Sequence, residues 1–561
     1  MNEIDDYIFE DIYNLDSKDL NKIAFRFKGE NYTFKDVKLS VNYLANLLIK
    51  KGIKKNDHVS LLSFNSYAWI ISFFAIVRIG AVAVLQNYFL RHDDLVNAIK
   101  NSDSNYILYG KYVAYIKDEN EFNVLLKDTN IKENNILCID DINFKEVIKN
   151  YKEIELPKID RINETKRTSH IIYTTGTTSE PKAVMLNQYG ILNIIYHNLY
   201  ELDSIFSNKF MCLLPLYHCF GLLVVLGFTA YKRIVCINEM TDSLNIYKEF
   251  VKEKCGEYAS VSVIYERLCK TPLFSLAHSK FVKHCIVGGG FTLEKDLEYL
   301  EKRYGKGKFM NGYGQTECSP LISLVYPDAP TIKKKTTVGK ILKDIDVKII
   351  DVDNKKDITN LKKSGEIIVK GYVVCNGYYK LDKNKQPFDE DGYLHTGDMG
   401  YIDEDGYLVL TGRIKDIIIR NGENISPAEI EKAFEKYKEF SNVRVLGFQT
   451  LTDGEYVIAA VELKKKPRHF NESYYINDLH SILPSIKIPT HIIYMPSFPL
   501  NANGKLDERK LREICIDKLN KKVDHDLYLE ILKIQKYMRH KWFIKESVRD
   551  SFICYNQFYT I

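Results

Sequence analysis

The chain has 561 residues, more than one hydrophobic core normally serves, so at least two domains are expected. With 45% hydrophobic and 27% charged residues, the composition is that of an ordinary globular protein and excludes a disordered or membrane-embedded class. A net charge of +5 on 79 basic and 74 acidic residues is too small an excess for a dedicated nucleic-acid binder unless the basic residues cluster.

The 11 cysteines, among them Cys138, Cys212, Cys219, Cys236 and Cys255, form no Cys-x-x-Cys pair, so neither a zinc ribbon nor a disulfide framework is indicated. The opening Met-Asn-Glu-Ile-Asp-Asp-Tyr is acidic where a secretory signal is basic and then apolar, and the expected location is a reducing cytoplasm. Two apolar stretches resemble membrane spans in length. The first, 61–85, is broken by Asn65, Ser66 and Arg78, and the second, 213–231, by Pro215 and His218. Both are read as core elements, because breakers and charges are costly in lipid.

In chain order, Tyr32-Thr-Phe-Lys-Asp-Val opens a helical period carried by Val41, Leu44, Ala45, Leu47 and Leu48. It stops at Gly52, and a buried strand, Val59-Ser-Leu-Leu-Ser, follows. A second helix, 69–79, ends at Gly80 before Ala81-Val-Ala-Val-Leu. Helix, glycine and strand in succession are the units of a parallel α/β sheet. Strand-like runs recur at Tyr106-Ile-Leu-Tyr, Ile136-Leu-Cys-Ile, His170-Ile-Ile-Tyr-Thr, Cys212-Leu-Leu, Ile234-Val-Cys-Ile and Cys285-Ile-Val, so about the first 330 residues read as doubly wound.

After Gly339, short alternating strands (Val347-Lys-Ile-Ile, Glu366-Ile-Ile-Val-Lys and Tyr407-Leu-Val-Leu) indicate a small β module at about 339–413. From Ile417 the order is strand, turn, helix (427–436), strand (443–446) and strand (456–463), a compact α+β unit of normal domain size. The expected division is therefore an N-terminal domain over 1–414 of doubly wound sheets plus the β module, then a separate α+β domain over 415–515. A Lys- and Tyr-rich extension occupies 516–561, and its helical segment, 527–541, sets basic residues beside Ile531, Leu532, Trp542 and Phe543. That segment reads as a solvated helix, or as one that docks or touches a membrane surface.

The strongest local signal is Tyr173-Thr174-Thr175-Gly176-Thr177-Thr178-Ser179-Glu180-Pro181-Lys182. Backbone N–H groups and hydroxyls in such a loop donate to phosphate oxygens, and the lysine adds a compact positive charge. The Walker spacing is absent. Taken alone, such a segment is more often only a turn.

Its neighbours change that. The loop resembles the phosphate loop of the adenylate-forming superfamily of acyl-CoA synthetases, amino-acid adenylation domains and luciferases. Leu214-Pro215-Leu216-Tyr217-His218-Cys219-Phe220-Gly221 is similar to that family's segment beside the acyl site, Gly288-Gly289-Gly290 to its glycine turn, and Asn311-Gly312-Tyr313-Gly314-Gln315-Thr316-Glu317 to its adenine and magnesium segment. Further matches are Tyr393-Leu394-His395-Thr396-Gly397-Asp398, Gly412-Arg413-Ile414-Lys415-Asp416, the run from Asn421 to Glu431, and Asn503-Gly504-Lys505-Leu506-Asp507. All stand in the family's order between Tyr32 and about Arg512.

The resemblance implies that Lys505, Thr316, Glu317 and Lys182 carry the chemistry. Lys505 would be the cation nearest the carboxylate and the α-phosphate, and Thr316 a donor to that phosphate. Glu317 would hold Mg²⁺, a hard ion that prefers oxygen. Asp398 would take the ribose hydroxyls with help from Arg413, and the Tyr313 ring would stack on adenine. ATP would also meet Thr174 to Thr178, Gly288 to Gly290, Asn311, Gly312, Gly314 and Gln315. His218, Phe220 and Gly221 would border the acyl pocket. Lys415 would be the hinge of a mobile C-terminal domain, and Gly422, Glu423 and Asn424 would line a tunnel for the CoA thiol. Each has a plainer structural reading: a surface lysine for Lys505, a loop charge for Glu317, a helix cap for Asp398, an ion pair for Arg413, core packing for Tyr313 and His218, and a tight turn for the glycines.

Ser179 and Ala183 stand where the family generally has glycine, and Asn187-Gln188 replace its usual Thr/Ser-His. A positive φ at Ser179 would cost roughly 1 kcal/mol and slow loop closure. Val261-Ser262-Val263-Ile264-Tyr265 lacks a proline common there. The expected activity is ATP-dependent activation of a fatty or other apolar acid to its adenylate, then transfer to CoA. Two alternatives stand beside it: an acyl or aminoacyl loader of a carrier protein acting in trans, and a nucleotide-binding sensor without turnover.

Overall fold

The computed structural model describes residues 6–90, 92–111, 119–174, 181–239, 246, 248–249, 252–261, 264–265, 268–269, 281–288, 294–305, 307–416, 418–420, 423–449, 455–465, 470–501 and 506–522. The first predicted helix forms at Phe34–Lys50, and a capping box starts it: Asp36 N–H donates to Thr33 Oγ1 at 3.2 Å and Thr33 N–H donates to Asp36 Oδ2 at 2.7 Å. Its apolar face, Val37, Val41, Leu44, Ala45 and Leu48, is buried, as the 3.6-residue period requires. The next crossover unit also forms, with parallel strands His58–Leu62 and Val82–Leu85 joined through the helix Tyr67–Arg78.

These strands belong to a six-stranded sheet, ordered from edge to edge Ile136–Cys138, Tyr106–Tyr109, His58–Leu62, Val82–Leu85, Thr168–Thr174 and Lys182–Asn187. All pairings are parallel except the last, in which Lys182–Asn187 folds back against Thr168–Thr174. A wholly parallel sheet was the expectation. The reversal brings Lys182 opposite Thr174, at the root of the phosphate-like loop.

A second sheet has nine strands. Its parallel centre comprises Phe309–Tyr313, His284–Val287, Glu257–Ser260, Lys209–Cys212, Ile234–Ile237 and Ile23–Phe27, the last continued by the antiparallel strand Glu30–Thr33. Strands at Ile23–Phe27, Glu257–Ser260 and Phe309–Tyr313 lie outside the predicted set, and the strand expected from Cys212 runs earlier, at Lys209–Cys212. The apolar stretch 213–231 supplies the helix Cys219–Ala230, eleven of whose twelve residues are buried. It is a core helix, and among the described residues no helix is long and apolar enough to cross a membrane.

The β module is a four-stranded antiparallel sheet of Ile345–Ile350, Gly365–Gly371, Leu394–Ile402 and Leu408–Arg413. Beyond it lie a hairpin, Ile418–Arg420 with Glu423–Ile425, the helix Pro427–Ala433 and a three-stranded mixed sheet of Phe440–Gln449, Glu455–Leu463 and His491–Met495. One buried cluster runs from Phe9 to Leu408 across both large sheets and the β module, whereas the clusters around Ile418 and Leu446 draw only on residues after Arg413. The fold is thus α/β, with doubly wound sheets and a β module in the N-terminal part and a small α+β unit after them. The 527–541 segment lies outside the described residues.

Candidate active site

The strand Phe309–Tyr313 runs out of the large sheet into a tight turn. A side-chain Cβ at Gly314 would lie 1.9 Å from the Pro320 carbonyl oxygen, so only glycine fits. Asn311 and Gly312 lie on this strand, and Gln315 Nε2 donates to the Thr396 carbonyl at 3.4 Å. Tyr313, at the strand's end, donates its hydroxyl to Asp398 Oδ2 at 2.9 Å. Asp398 sits in the middle of Leu394–Ile402, not at a helix end, and is 6% exposed. Its Oδ1 accepts from Arg413 Nε at 2.7 Å, and the two residues face each other across the strand register. Burial first, and then the neighbouring Asp398 charge, holds the Tyr313 phenol well above its ordinary pKa, so it remains a donor.

Thr316 and Glu317 occupy the turn Thr316–Cys318. Thr316 Oγ1 lies 3.3 Å from the Cys219 thiol, which links this turn to the first residue of the core helix Cys219–Ala230. Glu317 is 8% exposed, and its Oε1 accepts from the Tyr378 hydroxyl at 2.8 Å. Lys182 Nζ lies 4.7 Å from the centre of the same tyrosine ring. Lys182, Tyr378, Glu317, Thr316, Tyr313, Asp398 and Arg413 are therefore joined by contacts and short chain links into one line of polar groups.

His218 precedes the core helix at its N-cap position and packs on Tyr217 at 4.4 Å between ring centres. Gly221 lies within that helix. The Phe220 ring edge lies over Gly288, where a Cβ would sit 3.3 Å from it. Thr174 ends its strand beside Lys182, while Thr175, Gly176, Thr177, Thr178, Ser179, Gly289, Gly290, Gly422 and Lys505 lie outside the described residues. Lys415 belongs to the turn Ile414–Asp416, and Glu423 and Asn424 to the hairpin strand Glu423–Ile425.

Tyr378 is in none of the sequence motifs. The signal that could have found it, Cys375-Asn376-Gly377-Tyr378-Tyr379, is a glycine next to aromatics with no local chemistry of its own. Ala183 is accommodated: its methyl group is buried with Val82, Val84 and Ile171, at a place where the sheet has room for it.

Comparison with known proteins shows the family. The chain is 29% identical to the 2-succinylbenzoate–CoA ligase of Oceanobacillus iheyensis over 508 residues, covering 88% of this chain and 96% of the relative. It is 24% identical to the mitochondrial medium-chain acyl-CoA ligase ACSF2 of Bos taurus over 536 residues, covering 90% and 86% of the two chains. The o-succinylbenzoate CoA synthetase of Bacillus subtilis, solved with ATP and magnesium, shares the fold with a TM-score of 0.72 at 22% identity, covering 90% of this chain and 98% of that one. The family of AMP-binding enzymes is matched over residues 15–379, well over half of the sequence, and the chain belongs to that family.

Proposed function

We propose that the chain is an AMP-forming acid–thiol ligase that activates an apolar carboxylic acid, aryl or fatty, and transfers it to CoA. The observation that supports this best is the unbroken line of groups from Lys182 through Glu317 to Asp398 and Arg413. It carries charge and donors suited to a triphosphate at one end and to a ribose at the other.

In the first half-reaction a carboxylate oxygen of the acid bonds to the α-phosphorus, and the bond to the bridging oxygen breaks to release pyrophosphate. In the second, the thiol sulfur attacks the acyl carbon and AMP leaves with the anhydride oxygen. Asp398, held in place by Tyr313 and Arg413, takes the ribose hydroxyls. Tyr313 carries the adenine on its ring face while its hydroxyl stays on Asp398. Thr316 donates to the α-phosphate, Lys182 faces the outer phosphates, and Lys505 approaches the reacting carboxylate. Glu317 is the residue that would hold Mg²⁺. Among the described residues no three His, Cys, Asp or Glu side chains form a metal cage, which suits an ion that takes one or two carboxylates and completes its shell with phosphate and water. Magnesium would supply charge neutralisation on the phosphates.

The hinge reading of Lys415 gains support from its flanks. Arg413 is bound to Asp398 on one side, and Asp416 is bound to Arg444 at 3.2 Å on the other, which leaves 414–415 between the two anchors. Rotation there would withdraw Lys505 and bring Gly422, Glu423 and Asn424 to line the thiol's path. The division into 1–414 and 415–515 follows the same seam. His218 and Phe220 would border the acyl chain, with Gly221 in the same helix. The cysteines among the described residues are free thiols, in keeping with a cytoplasmic site of action.

Pyrophosphate release from MgATP over a panel of aryl, fatty and amino acids, with and without CoA, tests the proposal. An apolar acid that fires and yields a thioester supports it. Firing that ignores CoA points to a carrier protein, and silence with every acid overturns it.

A further inference from the structure

The segment 375–379 is stitched by its main chain to both halves of the phosphate end of the site. Cys375 N–H donates to the Glu317 carbonyl at 2.9 Å. Asn376 N–H donates to Met185 O at 2.8 Å, Met185 N–H to Gly377 O at 2.9 Å and Tyr379 N–H to Ala183 O at 2.8 Å. The strap is thus an added antiparallel partner for the strand Lys182–Asn187, and Tyr378 bridges directly to Val184. Gly377 takes φ +99°, and Tyr378 N–H donates to Gln386 Oε1 at 2.7 Å, which fixes the point from which the tyrosine side chain departs.

From this fixed root the ring reaches between two groups that the chain separates by 135 positions, Lys182 and Glu317. We propose that Tyr378 is a positioning residue for the metal–triphosphate: its hydroxyl orients the Glu317 carboxylate and its ring seats the Lys182 ammonium. The inference rests on the ATP-site reading above and adds to it how the two charges are kept apart yet aimed at one ligand. The tyrosine thereby gives each charge a neutral partner other than its opposite, which leaves both available to phosphate and metal.

The test is calorimetric titration of ATP into the full-length protein, with Mg²⁺ and in EDTA, for the wild type, Tyr378→Phe, Tyr378→Leu and Glu317→Gln. In Tyr378→Phe the ring stays, so metal-free affinity should hold within about twofold. The gain in affinity on adding Mg²⁺ should fall about tenfold, the worth of one hydrogen bond to a charged group. Tyr378→Leu should lose that gain and also weaken metal-free binding about threefold, as the cation–ring contact goes. If Tyr378→Phe keeps the full Mg²⁺ gain while Glu317→Gln loses it, the tyrosine inference is overturned and the ATP-site reading stands. If Glu317→Gln also keeps it, or the wild type shows none, the magnesium assignment falls and takes the inference with it. Thermal melts accompany each titration; a Tyr378→Phe protein that melts early but retains the Mg²⁺ gain counts against the proposal.

Discussion

The two ends of the proposed site, Lys182 with Glu317 and Asp398 with Arg413, are tied by different means. Glu317 and Lys182 are tied together through main-chain pairing of 375–379 with the Glu317 turn and with Lys182–Asn187, a connection that ligands do not compete for. Asp398 and Arg413 face each other across two paired strands and are also tied side chain to side chain, and Arg413 is 53% exposed although its partner is buried. Main-chain ladders hold shape; an exposed guanidinium can exchange its partner for a hydroxyl or a phosphate. The comparison teaches that both ends stand on paired main chain, while the side-chain tie at the second sits where the chain leaves one hydrophobic cluster for the next and is suited to motion.

The change with the largest expected effect removes Lys505, the cation proposed to approach the reacting carboxylate. Lys505→Ala should lower adenylate formation by about a thousandfold, the upper cost of losing one oriented donor, and spare thioester formation from supplied acyl-AMP. Equal loss in both half-reactions would break the division of labour. Next comes Arg444, mostly buried among Asp416, Glu431 and Glu508, which holds the far side of the hinge. Arg444→Met leaves these carboxylates uncompensated and should cost about 3 kcal/mol. The loss should be seen in denaturant unfolding and in faster tryptic cutting after Lys415; an unchanged midpoint would show that the anchor is dispensable.

Asp398→Asn keeps the strand but weakens both the ribose contact and the Arg413 pair, and should lower kcat/KM for ATP by about tenfold with little change in the acid's KM. Ala183→Gly tests the phosphate strand by stability alone: about 1 kcal/mol lost from a strand interior, with adenylation unchanged at a temperature well below melting. The smallest effect is that of His395. Its hydrogen bond to Glu366 at 3.0 Å raises its pKa above 6.5. A raised folded-state pKa adds stability that is fully present below pH 6.5 and is lost as pH rises through the folded value. The difference in Tm between wild type and His395→Gln should therefore shrink as pH rises from 5.5 to 8.5.

Local patterns were legible wherever local physics sets them. The helix and strand around Gly52 and Gly80, the buried core element within 213–231 and the order of the motifs all come from periods and turn residues within a few positions of one another. The strand Leu394–Ile402 was not, because its alternation is interrupted by His395, Thr396 and Gly397, and these are the residues that present Asp398. The return of Lys182–Asn187 along Thr168–Thr174 was likewise hidden, since the four-residue apolar run from Ala183 to Leu186 does not reveal the direction of its partner.

By itself the sequence determined the α/β class and the family, because these depend on composition, period and motif order. Only the tertiary structure decided that Tyr313 meets Asp398 across 85 positions and that Tyr378 meets Glu317 across 61. Such pairings are set by strand order and register, which arise from burial of whole sheets and leave no mark at either residue alone.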